Sequence, residues 1–166
     1  GWWRACRWTP SNGMREIGTL GGNASASWDV SADGSVIVGW AQTSFGWSRA
    51  FRWTQNGGMQ ELGALSTWSE ARRVSADGNT VVGWSPTPSE HIHAFRWSAA
   101  TGIQDLGELG GYESRAYGVS GDGSIVVGGA FDAFGVWSGF RWTPQRGMEN
   151  LNTIYAALLT DGSILR

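Results

Sequence analysis

Lysine is absent from this 166-residue chain, and all twelve of its basic residues are arginine. A nucleic-acid binder needs a basic stripe to displace counterions from phosphates, and a net charge of −2 with a pI near 5.6 supplies none. Nucleic acid is therefore excluded as a partner. The arginine-only set suits ion pairs and stacking on aromatic faces, and genome composition alone would also produce it. A single cysteine builds no disulfide framework and leaves the redox compartment open. Cys6 stands where other copies of a repeat carry Phe51, Phe95 and Phe140, so it reads as a small core residue. No apolar run approaches the roughly 20 residues of a spanning helix, so no membrane span is expected.

Histidine is nearly absent too. His91 and His93 lie two apart, on one face of a strand, but a metal needs a third ligand and only Glu90 is adjacent. The pair reads as a solvated loop, with no metal and no cofactor expected. No Ser-His-Asp set, phosphate cradle or metalloprotease helix can be assembled, so no catalytic residue is named. The chain starts at Gly1-Trp2-Trp3 in mid-phrase, without initiator methionine or signal peptide. That reads as a mature or partial product, from which a targeting segment could have been lost.

What the chain has is a repeat. Arg7-Trp8, Arg52-Trp53, Arg96-Trp97 and Arg141-Trp142 lie 45, 44 and 45 residues apart. A second phrase keeps the same interval, as VSADG at Val30 and Val74 and VSGDG at Val119. A period in the forties marks stacked supersecondary units, none of which can bury its apolar face alone. The units run over approximately 1–45, 46–90, 91–135 and 136–166 of one domain spanning 1–166. With 41% hydrophobic and 13% aromatic residues, that domain has a real core.

Within a unit the apolar pattern alternates at period two between turn residues, the signature of short antiparallel strands. In the second copy the strands fall at 70–75, 80–85, 94–98 and 102–107. The turn between the first two rests on Asp77-Gly78, as the others rest on Asp33 and Asp122, since aspartate bonds its own backbone and glycine takes a positive φ. Four strands in ~45 residues predict an all-β, β-propeller-like fold of four-stranded antiparallel blades, about 3.5–4 of them. The second strand is apolar on both faces, and its Gly39, Gly83 or Gly128 admits a close backbone or ring. Trp40 and Trp84 give way to Gly129 in the third copy, which predicts a position near a rim.

If the TPSNGM hairpin turns symmetrically, Arg7 lies across from Glu16, Arg52 from Glu61, Arg96 from Asp105 and Arg141 from Asn150. The first three pairs fix register and contribute up to about 1 kcal/mol each. Trp8, Trp53, Trp97 and Trp142, on the other face, are expected between blades. At the end of the chain, 155–159 and 164–165 flank another Asp-Gly turn, at Asp161. They supply either the missing strands of the first unit, closing a four-bladed ring, or part of a larger ring; 153–159 also fits a short helix.

The tripeptide His93-Ala94-Phe95, followed by Arg96-Trp97, GIQDLGELGG and VSGDGSIVVGG, resembles the HAF-type extracellular repeat proteins of bacteria. Other copies read Arg49-Ala50-Phe51, Gly139-Phe140 and Ala5-Cys6, and the resemblance extends to Asn152. It implies a secreted or surface-exposed bacterial protein with propeller-like repeats, and no catalytic residues. The turns also resemble Asp-box hairpins but lack the Thr-Trp that completes the box. Asn23-Ala24-Ser25 has the form of a glycosylation sequon and is discounted in a bacterial setting.

Function is then sought where the repeat varies. The binding candidates are the aromatics Trp28, Trp68, Tyr112 and Tyr117 with Arg72 and Arg115 nearby, Trp68 and Tyr112 foremost. Repeat positions Arg7, Trp8, Glu16, Arg52, Trp53, Glu61, Arg96, Trp97, Asp105, Asp33, Asp77 and Asp122 read as structural. The leading function is a non-enzymatic extracellular scaffold whose partners are other proteins, its own copies or surface glycans. The alternatives are a lectin-like propeller and a carbohydrate-active hydrolase, the latter drawing on Glu70, Glu108, Glu113 and Asp132.

Overall fold

The computed structural model describes residues 2–158. A hairpin of β1 (Cys6–Thr9) and β2 (Gly13–Glu16) comes first. The first four-stranded sheet is β3 (Gly21–Val30), β4 (Val36–Thr43), β5 (Ser48–Thr54) and β6 (Gly58–Glu61). The second is β7 (Glu70–Val74), β8 (Thr80–Pro86), β9 (Ile92–Ser98) and β10 (Gly102–Asp105). The third is β11 (Gly110–Val119), β12 (Val126–Asp132), β13 (Trp137–Thr143) and β14 (Gly147–Asn150). Each sheet is an antiparallel meander, and one parallel bridge, Glu113 to Ile92, joins the second to the third. The fold is all-β and propeller-like, with sheets that do not close into a ring among the described residues. Sequence units counted from residue 1 thus differ in phase from the sheets.

The terminal segment departs from expectation. Leu151–Ile154 is a helix capped by the Asn150 side chain, and Ala156–Leu158 is a 3-10 turn, so 155–158 form no strand. The expected strand at 164–165 lies outside the described residues. No helix among the described residues is long and apolar enough to cross a membrane.

The cores lie between sheets. Val36, Val38 and Ala50 of the first sheet pack with Ala71, Val81 and Phe95 of the second. Val82 and Ala94 of the second pack with Ala116, Val126, Phe140 and Trp142 of the third. Phe51, Phe95 and Phe140 are fully buried, each contributing about 1.5–3 kcal/mol of apolar transfer. At the same repeat position Cys6 is only half-buried. The repeat tryptophans divide likewise: Trp142 is buried, Trp53 and Trp97 half-buried, and Trp8 is 65% exposed, because among the described residues no sheet precedes the first hairpin to cover it.

A buried serine, not foreseen from the pattern, stitches each sheet to the one before. Ser25 accepts the Ala5 N–H at 3.0 Å and donates to the Gly18 carbonyl at 2.7 Å. Ser69 does the same between Ala50 N–H and Gly63 O, and Ser114 between Ala94 N–H and Gly107 O. Ser25 is fully buried, so as it stands the sequon-like triplet is a packing element.

The hairpin register differs by one residue from the symmetric reading. Cys6 faces Glu16 and Arg7 faces Arg15; Phe51 faces Glu61 and Arg52 faces Gln60; Phe95 faces Asp105 and Arg96 faces Gln104. Arg52 and Glu61 therefore point to opposite faces, as do Arg7 and Glu16, and Arg96 and Asp105. The cause is a three-residue loop followed by a glycine at positive φ, Gly13, Gly58 or Gly102, and that extra residue shifts the ladder. The acids pair instead with the residue three before each arginine: Arg4–Glu16, Arg49–Glu61 and His93–Asp105. Freed from that role, Arg52 reaches the Gly78 carbonyl in the next sheet's turn at 3.3 Å, and Arg96 reaches that of Gly123 at 3.4 Å. Arg7 reaches Gln55 at 2.6 Å. In the third sheet Arg141 faces Glu149, not Asn150, and pairs with it at 2.8 Å.

The Asp-Gly turns are as expected, and they touch one another. The Ala32 N–H donates to the Ala76 carbonyl and the Ala76 N–H to the Gly121 carbonyl, both at 3.1 Å. The Ser31 hydroxyl and Ser35 N–H, bonding to Asp33, lower its carboxyl from 3.8 to about 2, and Ser120 and Ser124 do the same for Asp122. A depressed carboxylate stabilises the fold fully above its unfolded value and loses that contribution as pH falls through the folded one. Melting temperature is therefore expected to drop between about pH 4 and pH 2, and less so with asparagine at 33 and 122, as a calorimetric pH series would read. An unchanged slope in that variant would remove the turns from acid stability.

Candidate functional site

Each inner strand carries a β-bulge at the same repeat position, between Ser27 and Asp29, Ala71 and Arg73, and Ala116 and Gly118. Bulges re-aim side chains, and the residues re-aimed are Trp28, Arg72 and Tyr117. Arg72 and Tyr117 meet Trp84 of β8, and Trp28 joins them through Arg72. The Arg72 guanidinium lies 4.7 Å from the Trp28 ring and 4.9 Å from the Trp84 ring. Arg115 sits 5.3 Å from the same Trp84 ring, and Tyr117 meets it edge-on at 5.7 Å. Glu70 and Glu113 hold the two arginines at 2.9 and 2.6 Å. Four of the six candidate binding residues thus form one ladder across three sheets. Trp84, 7% exposed, is its centre and not a rim residue.

The ladder's chemistry is mostly internal, since guanidinium groups occupy the ring faces, worth about 0.5–2 kcal/mol per contact. Trp28 is half-exposed and also lines a cleft of about 350 Å³ with Trp2, Trp3, Ala24 and Trp40. Trp2 and Trp3 are 68% and 67% exposed. The aromatic opening therefore lies beside the first hairpin, where residues before the first complete repeat phrase gave no signal.

The two foremost candidates lie elsewhere. Tyr112 stacks on Phe131 at 4.8 Å, and Phe131 meets Trp137 edge-on. Trp137 fills the space beside Gly129, which explains the small residue there. Trp68 is half-buried, its carbonyl accepting the Ser85 hydroxyl at 2.6 Å. The candidate hydrolase acids are each otherwise engaged: Glu70 and Glu113 by arginines, Asp132 by the N–H groups of Phe134 and Val136, and Glu108 by histidine.

That last contact was missed by looking only at sequence neighbours. Glu108, not Glu90, approaches the histidine pair, 3.4 Å from His93 Nε2 and 3.7 Å from His91 Nδ1. Asp105 takes both its 2.9 Å contacts on His93 Nδ1, and that hydrogen bond holds the imidazole pKa above its ordinary value. Burial works to raise Asp105, but the bonds from His93 and the Gly107 N–H prevail and hold it low.

No known family model and no curated protein matches the chain. Among solved structures it is similar to TolB from Acinetobacter baumannii, at 17% identity and a TM-score of 0.61, over 86% of this chain and 35% of that one. It is also similar to a TolB candidate from Agrobacterium tumefaciens, at 16% identity and a TM-score of 0.59, over 89% and 61%. The chain thus spans less than two thirds of either structure, and at this identity the likeness shows a propeller-like fold alone.

Proposed function

We propose that the chain is a non-enzymatic assembly module that docks a second copy of itself or another protein on the aromatic cleft beside its first hairpin. The observation that carries this reading is the cluster of Trp2, Trp3, Trp28 and Trp40 around one opening, with two of its rings largely in water. Rings of this size release much water on contact at low entropic cost, the signature of a protein-binding hot spot. The edge of β1 supports it. In the complete sheets β5, β9 and β13 each bond a second strand on the side opposite the hairpin partner, and among the described residues β1 has only β2. An unpaired edge beside exposed tryptophan is suited to strand addition. A strand added there by the docked partner would complete a fourth blade. The HAF-type resemblance supports an extracellular or cell-surface setting.

The test is sedimentation velocity on the protein and on a Trp2→Ala, Trp3→Ala double variant. Self-association, or co-sedimentation with a purified partner, is expected to weaken at least tenfold, while the melting temperature is unchanged because both rings are exposed. Unaltered association would overturn the assignment. Retained glycan-array binding lost on Tyr112→Ala would favour the lectin-like reading, and glycoside turnover lost on Glu70→Gln or Glu113→Gln the hydrolase.

A further inference from the structure

The second sheet departs from its siblings at three positions, and the fold brings all three together. His91 replaces Trp47, His93 replaces Arg49, and Glu108 replaces Ala64 and Thr19 of the other copies. In the first sheet Arg49 pairs with Glu61 and no carboxylate stands where Glu108 does. In the second, His93 keeps the acid partner, Asp105, and gains Glu108 on its other nitrogen.

We infer that His91, His93 and Glu108 form a divalent transition-metal site of the zinc type. The donor atoms of the three residues all lie within 4.8 Å of one another. Donors bound at about 2.0–2.1 Å to a tetrahedral zinc stand about 3.3–3.4 Å apart, and His93 Nε2 is 3.4 Å from Glu108 Oε2. Both atoms are shut off from solvent and neither has a hydrogen-bond partner among the described residues, an arrangement that costs free energy unless something sits between them. Asp105 accepts from His93 Nδ1, which leaves the lone pair on Nε2 facing Glu108; a carboxylate behind a ligating imidazole is the usual way such a ligand is oriented. His91 is the adjustable member, exposed and 3.7 Å from the same carboxylate oxygen. Two imidazoles and one carboxylate match the ligand taste of zinc, and three protein donors leave a fourth position for water or a group from a docked partner. The ion would tie the turn before β9 to the loop between β10 and β11.

A doubly protonated His93 ring, with Nδ1–H directed at Asp105 and Nε2–H at Glu108, is the competing account, and metal binding distinguishes the two. The experiment is isothermal titration of the EDTA-stripped protein with Zn2+, with Co2+ absorption to report four-coordination. Glu108→Ala is the variant of choice, because Ala64 holds the equivalent place and the fold tolerates it; His91→Ala is the second. One equivalent of Zn2+ is expected to bind the unaltered protein and raise its melting temperature, and each variant to bind at least about 100-fold more weakly. No zinc binding, or equal binding by protein and both variants, would overturn the site.

Discussion

Alanine at position 83 is expected to destabilise the protein by more than about 3 kcal/mol, at the upper end of what overpacking costs. A Cβ there would stand 1.9 Å from the Glu70 carbonyl oxygen and 3.0 Å from the Ala71 Cα. Both are backbone atoms of β7, so no rotamer change relieves the collision. The strands must separate where Glu70 pairs with Trp84 and Ala71 with Gly83, at the centre of the inter-sheet core. Gly39 and Gly128 stand in the same relation to Ala26 and Arg115. Gly129→Ala is the control, since there the obstruction is the Trp137 side chain, which can shift. Urea denaturation should show the larger loss at Gly83. Equal losses would mean that the inner strands yield as readily as a side chain does.

Trp84→Ala is the second large effect, expected at about 3–5 kcal/mol and enough to unfold a marginal domain. The ring is buried and is the common contact of Arg72, Arg115 and Tyr117, so its loss leaves a cavity and takes a ring face from two arginines. Trp28→Ala removes only the half-exposed end of the ladder and should cost about 1 kcal/mol. Thermal melts of the two variants decide it: a small shift for Trp84 would mean that the ladder contributes nothing beyond surface contact.

Strands and turns were legible because Asp33-Gly34, Asp77-Gly78 and Asp122-Gly123 punctuate runs of valine at a fixed interval, and local chemistry decides such features. Register was not, because it hangs on whether Gly13 or Gly58 closes the loop at positive φ, a single residue's difference that reverses every facing pair. The ladder was partly legible: Trp28, Arg72 and Tyr117 could be named as departures from the repeat, but their alignment along Arg72 and Trp84 follows from bulges that leave no mark in a hydrophobic pattern. The histidine cluster was visible only in halves. Its carboxylate arrives from the loop between sheets, and the signal that would have found it is the replacement of Ala64 by Glu108 in the same unit that replaces Arg49 by His93.

The serine stitch bears on how such a chain can grow. Ser69 and Ser114 each satisfy an amide and a carbonyl that belong to the preceding unit, so removing the last unit orphans two polar groups in the one before it. Inserting or excising an internal unit in phase orphans none, because every copy brings both the socket and the plug. A change in the number of internal repeats is therefore nearly free while truncation from the end is penalised, which gives a ready route to engineered variants of different span.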